Sequence, residues 1–296
     1  MAAQTHLAQS APSFRIRAAR PEDAPAAGQV CYEAFQTIST DHGFPSDFPS
    51  PQVASGVLSG MFSYSGFYCV VAESEGRIIG SNCLDERSVV AGIGPITVDP
   101  NVQNTGVGRK LMDAVLDRAR ERNFAGVRLV QAAFHNRSLS LYTKLGFDLR
   151  EPLSCMQGTP TTKPAAGYTV RRAATADLEA CNLVCMQVHG HDRSRELADS
   201  IGNSNAIVVE RNGRITGYST SLAFSGHSVA ESNADLQALI ASAQTFGGPG
   251  ILVPTRNAAL FRWCLENGLR VVQPMTLMTI GLYNEPAGAY LPSILF

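Results

Sequence analysis

The 296 residues carry a formal net charge of −1, with 45% hydrophobic and 17% charged residues, the balance of a folded chain of about two domains. There is no basic excess to attract a phosphate backbone or an anionic surface, and no apolar run nears the roughly 20 residues of a membrane helix, so nucleic acid and membrane are both poor partners. The seven cysteines (Cys31, Cys69, Cys83, Cys155, Cys181, Cys185 and Cys264) are odd in number and lack metal-type pair spacing, which predicts buried free thiols in a reduced, cytoplasmic protein.

Residues 1–13 have neither the basic stretch nor the apolar stretch of a secretory leader and read as a disordered tail. The pattern then predicts a strand at 14–18, a helix at 22–36 and, after the loop "STDHGFPSDFPSP", a second helix near 52–62. Strands are expected at 67–73, 77–84 and 91–99, followed by a helix at 106–121, a strand at 127–133, a helix at 137–145 and a last strand from Phe147. This is an α/β unit built on a mixed sheet.

The order then recurs. "FRIRAARPEDAPAAGQVCYEAF" (Phe14 to Phe35) aligns without a gap to "YTVRRAATADLEACNLVCMQVH" (Tyr168 to His189). "VVAESEGRIIG" (Val70 to Gly80) matches "IVVERNGRITG" (Ile207 to Gly217), each a tight hairpin, and "NRSLSLYTKLGF" (Asn136 to Phe147) matches "NAALFRWCLENGL" (Asn257 to Leu269). Three blocks in one order imply a duplication, with the Pro/Thr/Gly-rich segment 158–167 as its linker between units at 14–157 and 168–296.

The segment "TVDPNVQNTGVGRKLM" (Thr97 to Met112) carries the most chemistry. A strand stops at Pro100, a polar turn follows, and Leu111, Met112, Val115, Leu116 and Ala119 then form one apolar helical face. Asn104 or Thr105 can cap that helix, and Gly106 and Gly108 fall in its first turn, where each glycine costs about 1 kcal/mol. Two such costs suggest that a ligand comes close to the backbone, a tight strand-to-helix turn without a ligand being the alternative, and unpaired first-turn amides at the positive end of a helix dipole favour a pyrophosphate. Two familiar phosphate loops do not fit: position 111 is Leu rather than Gly, and no Gly-Lys-Ser/Thr occurs here.

"VDPNVQNTGVG" (Val98 to Gly108) resembles motif A of the GCN5-related N-acetyltransferases (GNAT), and "NRSLSLYTKLGF" resembles their motif B. The resemblance implies two tandem α/β domains, each a mixed, mostly antiparallel sheet flanked by helices, with a splayed strand pair in the first. It implies that acetyl-CoA lies along Ile96, Thr97 and Val98, with its pyrophosphate on Gln103, Asn104, Thr105, Gly106, Val107, Gly108 and Arg109. Asn136 and Tyr142 also meet the cofactor in that reading, and Tyr142 is the general acid that protonates the leaving thiolate. No metal is implied.

Acetyl transfer to an amine also needs the amine neutral, which at pKa about 10.4 holds for roughly one molecule in 2,500 at pH 7. Glu86, in "NCLDERS", is the nominal base; Asp85, Glu33, Asp41, His42 and Asp47 are further acceptor-side candidates. The acceptor expected is a small-molecule amine. A non-catalytic acyl-CoA-binding or sensing protein is the alternative.

In the second half the phosphate turn is replaced by "SVAESNADLQALIASAQ" (Ser228 to Gln244), in which Glu231 and Asp235 would repel an anion, and Trp263 stands in place of the tyrosine. That half is therefore expected to be a degenerate GNAT-like domain that packs on the first, completes the acceptor pocket or serves homodimerisation. His189 and "GHD" (Gly190 to Asp192) read as loop residues rather than metal ligands.

Overall fold

The computed structural model describes residues 13–295; of the tail expected at 1–13, residues 1–12 lie outside the described residues. The first half runs β1 (Arg15–Ala18), α1 (Ala24–Asp41), α2 (Pro51–Ser63), β2 (Phe67–Ser74), β3 (Arg77–Asp85), β4 (Val90–Ile93), β5 (Thr97–Val98), α3 (Val107–Glu121), β6 (Gly126–Ala132), α4 (Asn136–Lys144) and β7 (Asp148–Gly158). The second repeats the plan with β8 (Tyr168–Arg172), α5 (Leu178–His189), α6 (Ser194–Gly202), β9 (Ile207–Arg211), β10 (Arg214–Ser219), β11 (Ser228–Ala230), α7 (Asn233–Ala241), β12 (Ile251–Pro254), α8 (Ala258–Glu266) and β13 (Leu269–Gly281), then adds β14 (Ala289–Leu291).

Both expected hairpins form. Glu75 and Gly76 in one, and Asn212 and Gly213 in the other, take positive φ, the two-residue turn whose twist suits antiparallel strands. The apolar face of α3 is buried as expected: Leu111, Met112 and Val115 are fully enclosed against β2 and β3, each contributing about 1.5–3 kcal/mol. All seven cysteines are free and buried.

The single strand expected at 91–99 is two. β4 pairs in parallel with β6 from Val90↔Gly126 to Gly92↔Arg128, whereas β5 turns away to pair with β3 through Gly80↔Val98 and Ser81↔Thr97. From Leu129 onward β6 has no partner on that side among the described residues, and the gap is the splay.

The two halves interlock rather than sit side by side. One sheet runs β1-β2-β3-β4-β6-β13-β7-β12, with β5 on β3, and a second runs β14-β11-β10-β9-β8. β13, from the second half, enters between β6 and β7 of the first; β7 enters between β13 and β12. Each half thus completes the other's sheet with its own long terminal strand.

The splay is kept open in the first half and closed in the second. β14 pairs with β11 through Val229↔Tyr290 and packs against β12, which fills the corresponding gap. This places a physical plug where the first half has a cleft.

Candidate active site

Gly106 precedes α3 with φ +93°, a left-handed conformation that a side chain would strain. Neither Asn104 nor Thr105 caps the helix as expected. No side chain among the described residues caps it, and the Thr105 hydroxyl donates instead to the Val102 carbonyl at 2.6 Å. Lys110 N–H reaches the Gly106 carbonyl, so the amides of Val107, Gly108 and Arg109 precede the first intrahelical bond and face outward.

A cleft of about 300 Å³ opens above this helix end. Ile96, Thr97, Val98, Gln103, Asn104, Gly106, Gly108, Arg109 and Tyr142 all line it. A Cβ on Gly108 would stand 3.6 Å from Val98 and 3.8 Å from Leu141, so glycine keeps the passage between β5 and α4 open. Gln103 ties the walls together: its amide donates to the Val98 carbonyl at 3.3 Å and its carbonyl accepts from Arg137 at 2.6 Å. Three expected positions lie off the cleft. The Val107 side chain is in the core, Thr105 is bonded within its loop, and Asn136 is the exposed first residue of α4. Arg137 and Ser138 line the wall instead; an Arg one residue past the motif's Asn was the available signal for the former.

Tyr142 is set by the end of its own helix. Gly146, at φ +96°, lets its N–H reach the Thr143 carbonyl and the Phe147 N–H reach the Tyr142 carbonyl, and Phe147 packs edge-on against the Tyr142 ring at 6.1 Å. Burial raises the phenol's pKa and keeps it protonated across the neutral range.

Tyr142, Ile96, His135 and Ser138 also line a second cavity of about 580 Å³, so the two spaces meet at the tyrosine. Asp47, from the α1–α2 loop, lines this cavity and accepts a hydrogen bond from Gln273 of β13 at 2.7 Å. Phe44 stacks on Phe134 with ring centroids 4.3 Å apart, pinning that loop over the end of β6. Enclosure by protein raises the Asp47 carboxyl to about 6, partly offset by the Gln273 bond, and burial with Arg137 nearby lowers His135 to about 4, leaving it neutral.

Glu86 is elsewhere. Its carboxylate is held by Arg118 at 2.7 and 3.1 Å and lines neither space. Asp85 is locked by Arg87, and Glu33, Asp41 and His42 lie outside both linings. Of the acceptor-side carboxylates considered from the sequence, Asp47 alone faces the tyrosine's cavity.

At α7, the counterpart of α3 in the second half, the helix start is occupied by the chain's own side chains. Ser232 caps that helix by accepting from the Asp235 amide at 3.3 Å, and the Asp235 carboxylate is buried against Thr216 at 2.6 Å and Arg211 at 3.1 Å. His189 and His191 are not loop-surface residues as expected. Both are buried, and His189 Nε2 lies 3.1 Å from His227 Nε2, with burial and Arg193 holding all three imidazoles below their ordinary pKa.

Residues 32–147 match the family profile "Acetyltransferase (GNAT) family". A stretch of 63 residues is 40% identical to the mycothiol acetyltransferase of Nocardia farcinica (strain IFM 10152), spanning 21% of this chain and 21% of that relative. Among solved structures, a Pyrococcus horikoshii protein described as an acetyltransferase superposes over 97% of each chain with a TM-score of 0.70 at 18% identity. A GCN5-related N-acetyltransferase of Sphaerobacter thermophilus covers 92% of this chain and 96% of its own at TM-score 0.60 and 16% identity. A tandem GNAT protein of the clavulanic acid biosynthesis pathway covers 91% and 98% at TM-score 0.55 and 12% identity. The structural likenesses speak for a shared tandem fold, and the profile match speaks for an acetyltransferase (GNAT) domain over residues 32–147.

Proposed function

We propose that the chain is an N-acetyltransferase that moves the acetyl group of acetyl-CoA to the primary amine of a small molecule. The observation that carries this reading is the uncapped start of α3 beside the open splay of β5 and β6. Outward amides at Val107, Gly108 and Arg109 suit the pyrophosphate oxygens, with the guanidinium groups of Arg109 and Arg137 at the cleft for added positive charge. The exposed edge of β5 at Ile96–Val98 offers main-chain groups to the pantetheine arm and a donor to the developing oxyanion.

In this reading Asp47 receives the amine from the second cavity. Once the bound ammonium has lost one proton to solvent, the neutral amine nitrogen attacks the thioester carbonyl carbon, and the carbon–sulfur bond breaks. A proton passes from that nitrogen to the Asp47 carboxylate, directly or through one water, while the Tyr142 hydroxyl gives its proton to the departing sulfur. The tyrosine then regains a proton from solvent, Asp47 releases the one it took, and the products are an amide and a thiol.

Release of free thiol from acetyl-CoA in the presence of a panel of primary amines, with the acetylated product identified by mass, tests the proposal. Amine-dependent release is expected. Tight binding of acetyl-CoA without acetylation of any amine would overturn it in favour of a binding or sensing protein.

A further inference from the structure

The second cavity is built from both halves of the chain. Phe48, Val57 and Met61 come from the α1–α2 region, and Phe224, Met275 and Ile294 from the second half. Among the described residues Asp47 is its only carboxylate, and no Lys or Arg lines it. Two glutamines on its wall are more than nine-tenths buried, yet each has one polar atom without a hydrogen-bond partner among the described residues: Gln131 Nε2 and Gln273 Oε1. The other ends of these amides are fixed. Gln131 Oε1 accepts from Ser138 at 3.0 Å, and Gln273 Nε2 donates to Asp47 at 2.7 Å.

Buried amide atoms without partners are uncommon, and on a cavity wall they point to a ligand that supplies the missing bonds. The Asp47 bond fixes Gln273 so that its carbonyl is an acceptor beside the carboxylate. One primary ammonium, with three N–H donors, can bond both. A second ammonium on the same molecule would find no second carboxylate, and the hydroxyls of a polyhydroxylated amine would outnumber the few polar side chains that interrupt the apolar wall, chiefly Ser39, Gln131, His135, Ser138 and Ser225.

We infer, on the basis of the acetyl-transfer reading above, that the acceptor is a primary monoamine with an aromatic or hydrocarbon body, held by Asp47 and Gln273 together. The second half, through Gln273 and the apolar residues around it, then acts as the specificity wall of a site whose cofactor cleft belongs to the first half.

The test is calorimetric binding of phenethylamine, putrescine and glucosamine to the full chain saturated with coenzyme A at pH 7.5, with acetylation of the same three amines followed in parallel. Phenethylamine is expected to bind at least tenfold more tightly than either of the others. Preference for putrescine or glucosamine, or no binding of phenethylamine, overturns the inference; acetylation of another amine in that case leaves the transfer reading standing. Phenethylamine binding as expected with no acetylated product sinks the transfer reading and keeps the cavity's assignment. Gln273→Leu should weaken phenethylamine about tenfold with the affinity for coenzyme A unchanged, and equal affinity would remove Gln273 from the site. Val57 is 39% exposed on the cavity rim, so Val57→Glu disturbs no core. The added carboxylate should raise putrescine affinity about tenfold, and no gain would count against the single-carboxylate account of selectivity.

Discussion

Asp47→Asn separates the cost of the site from its chemistry. Enclosure raises the Asp47 carboxyl from 3.8 to about 6, so between those values the folded protein holds a proton that the unfolded chain has released. Stability from this group is therefore lost as pH rises through that window, and above pH 6 the fold carries the full penalty, about 3 kcal/mol. Asparagine has no such titration, and its carbonyl can still accept the Gln273 bond. The variant should melt higher than wild type at pH 8, by on the order of 5 °C, and match it near pH 4. Loss of the proton acceptor should at the same time lower turnover by about 100-fold or more. Thermal melts without substrates at several pH values, alongside thiol-release rates, check both parts. A variant no more stable than wild type at pH 8, or a difference that does not vary with pH, would refute the claim that a desolvated carboxylate is held at this cavity.

Gly106→Glu places a carboxylate at the α3 entrance on a backbone with φ +93°, and should weaken acetyl-CoA by roughly 100-fold to 1,000-fold in a direct titration. Tyr142→Phe should lower kcat by about 100-fold or more while leaving the dissociation constant for acetyl-CoA within a few-fold, read by pre-steady-state and equilibrium assays. Truncation after residue 167 exposes the edges of β6 and β7 that β13 and β12 cover, so the isolated first half should be insoluble or unfolded by circular dichroism. Ser232→Ala should destabilise the chain by about 1 kcal/mol through loss of the α7 cap, with no second acetyl-CoA site appearing.

The helices and hairpins were legible because their signals are local. The α3 face is spelled out by Leu111, Met112, Val115, Leu116 and Ala119, and the hairpin turns by Gly76 and Gly213. The strand exchange was not legible. β7 and β13 each read as the closing strand of their own half, and nothing in the alternation of either names the neighbour it pairs with.

The site divides along the same line. Gln103, Gly106, Gly108 and Tyr142 fall within two short contiguous stretches, so their grouping could be read directly. Asp47 sat in a polar loop with nothing to set it apart, because the features that define it come from elsewhere. Its hydrogen-bond partner is 226 residues away, and its loop is pinned by Phe134 beyond β6. Glu86 looked equivalent in sequence, and only the approach of Arg118 from α3 removes it. The plug at β14 likewise follows the last repeated block, where the duplication gave no template for its placement.

In the proposed reaction a single cleft per chain, at the start of α3, takes acetyl-CoA. Isothermal titration of the full chain with acetyl-CoA measures this directly. It should give one site per chain in the wild type and no measurable binding to Gly106→Glu at the same concentrations. Two sites per chain, or binding unchanged by that substitution, would contradict it.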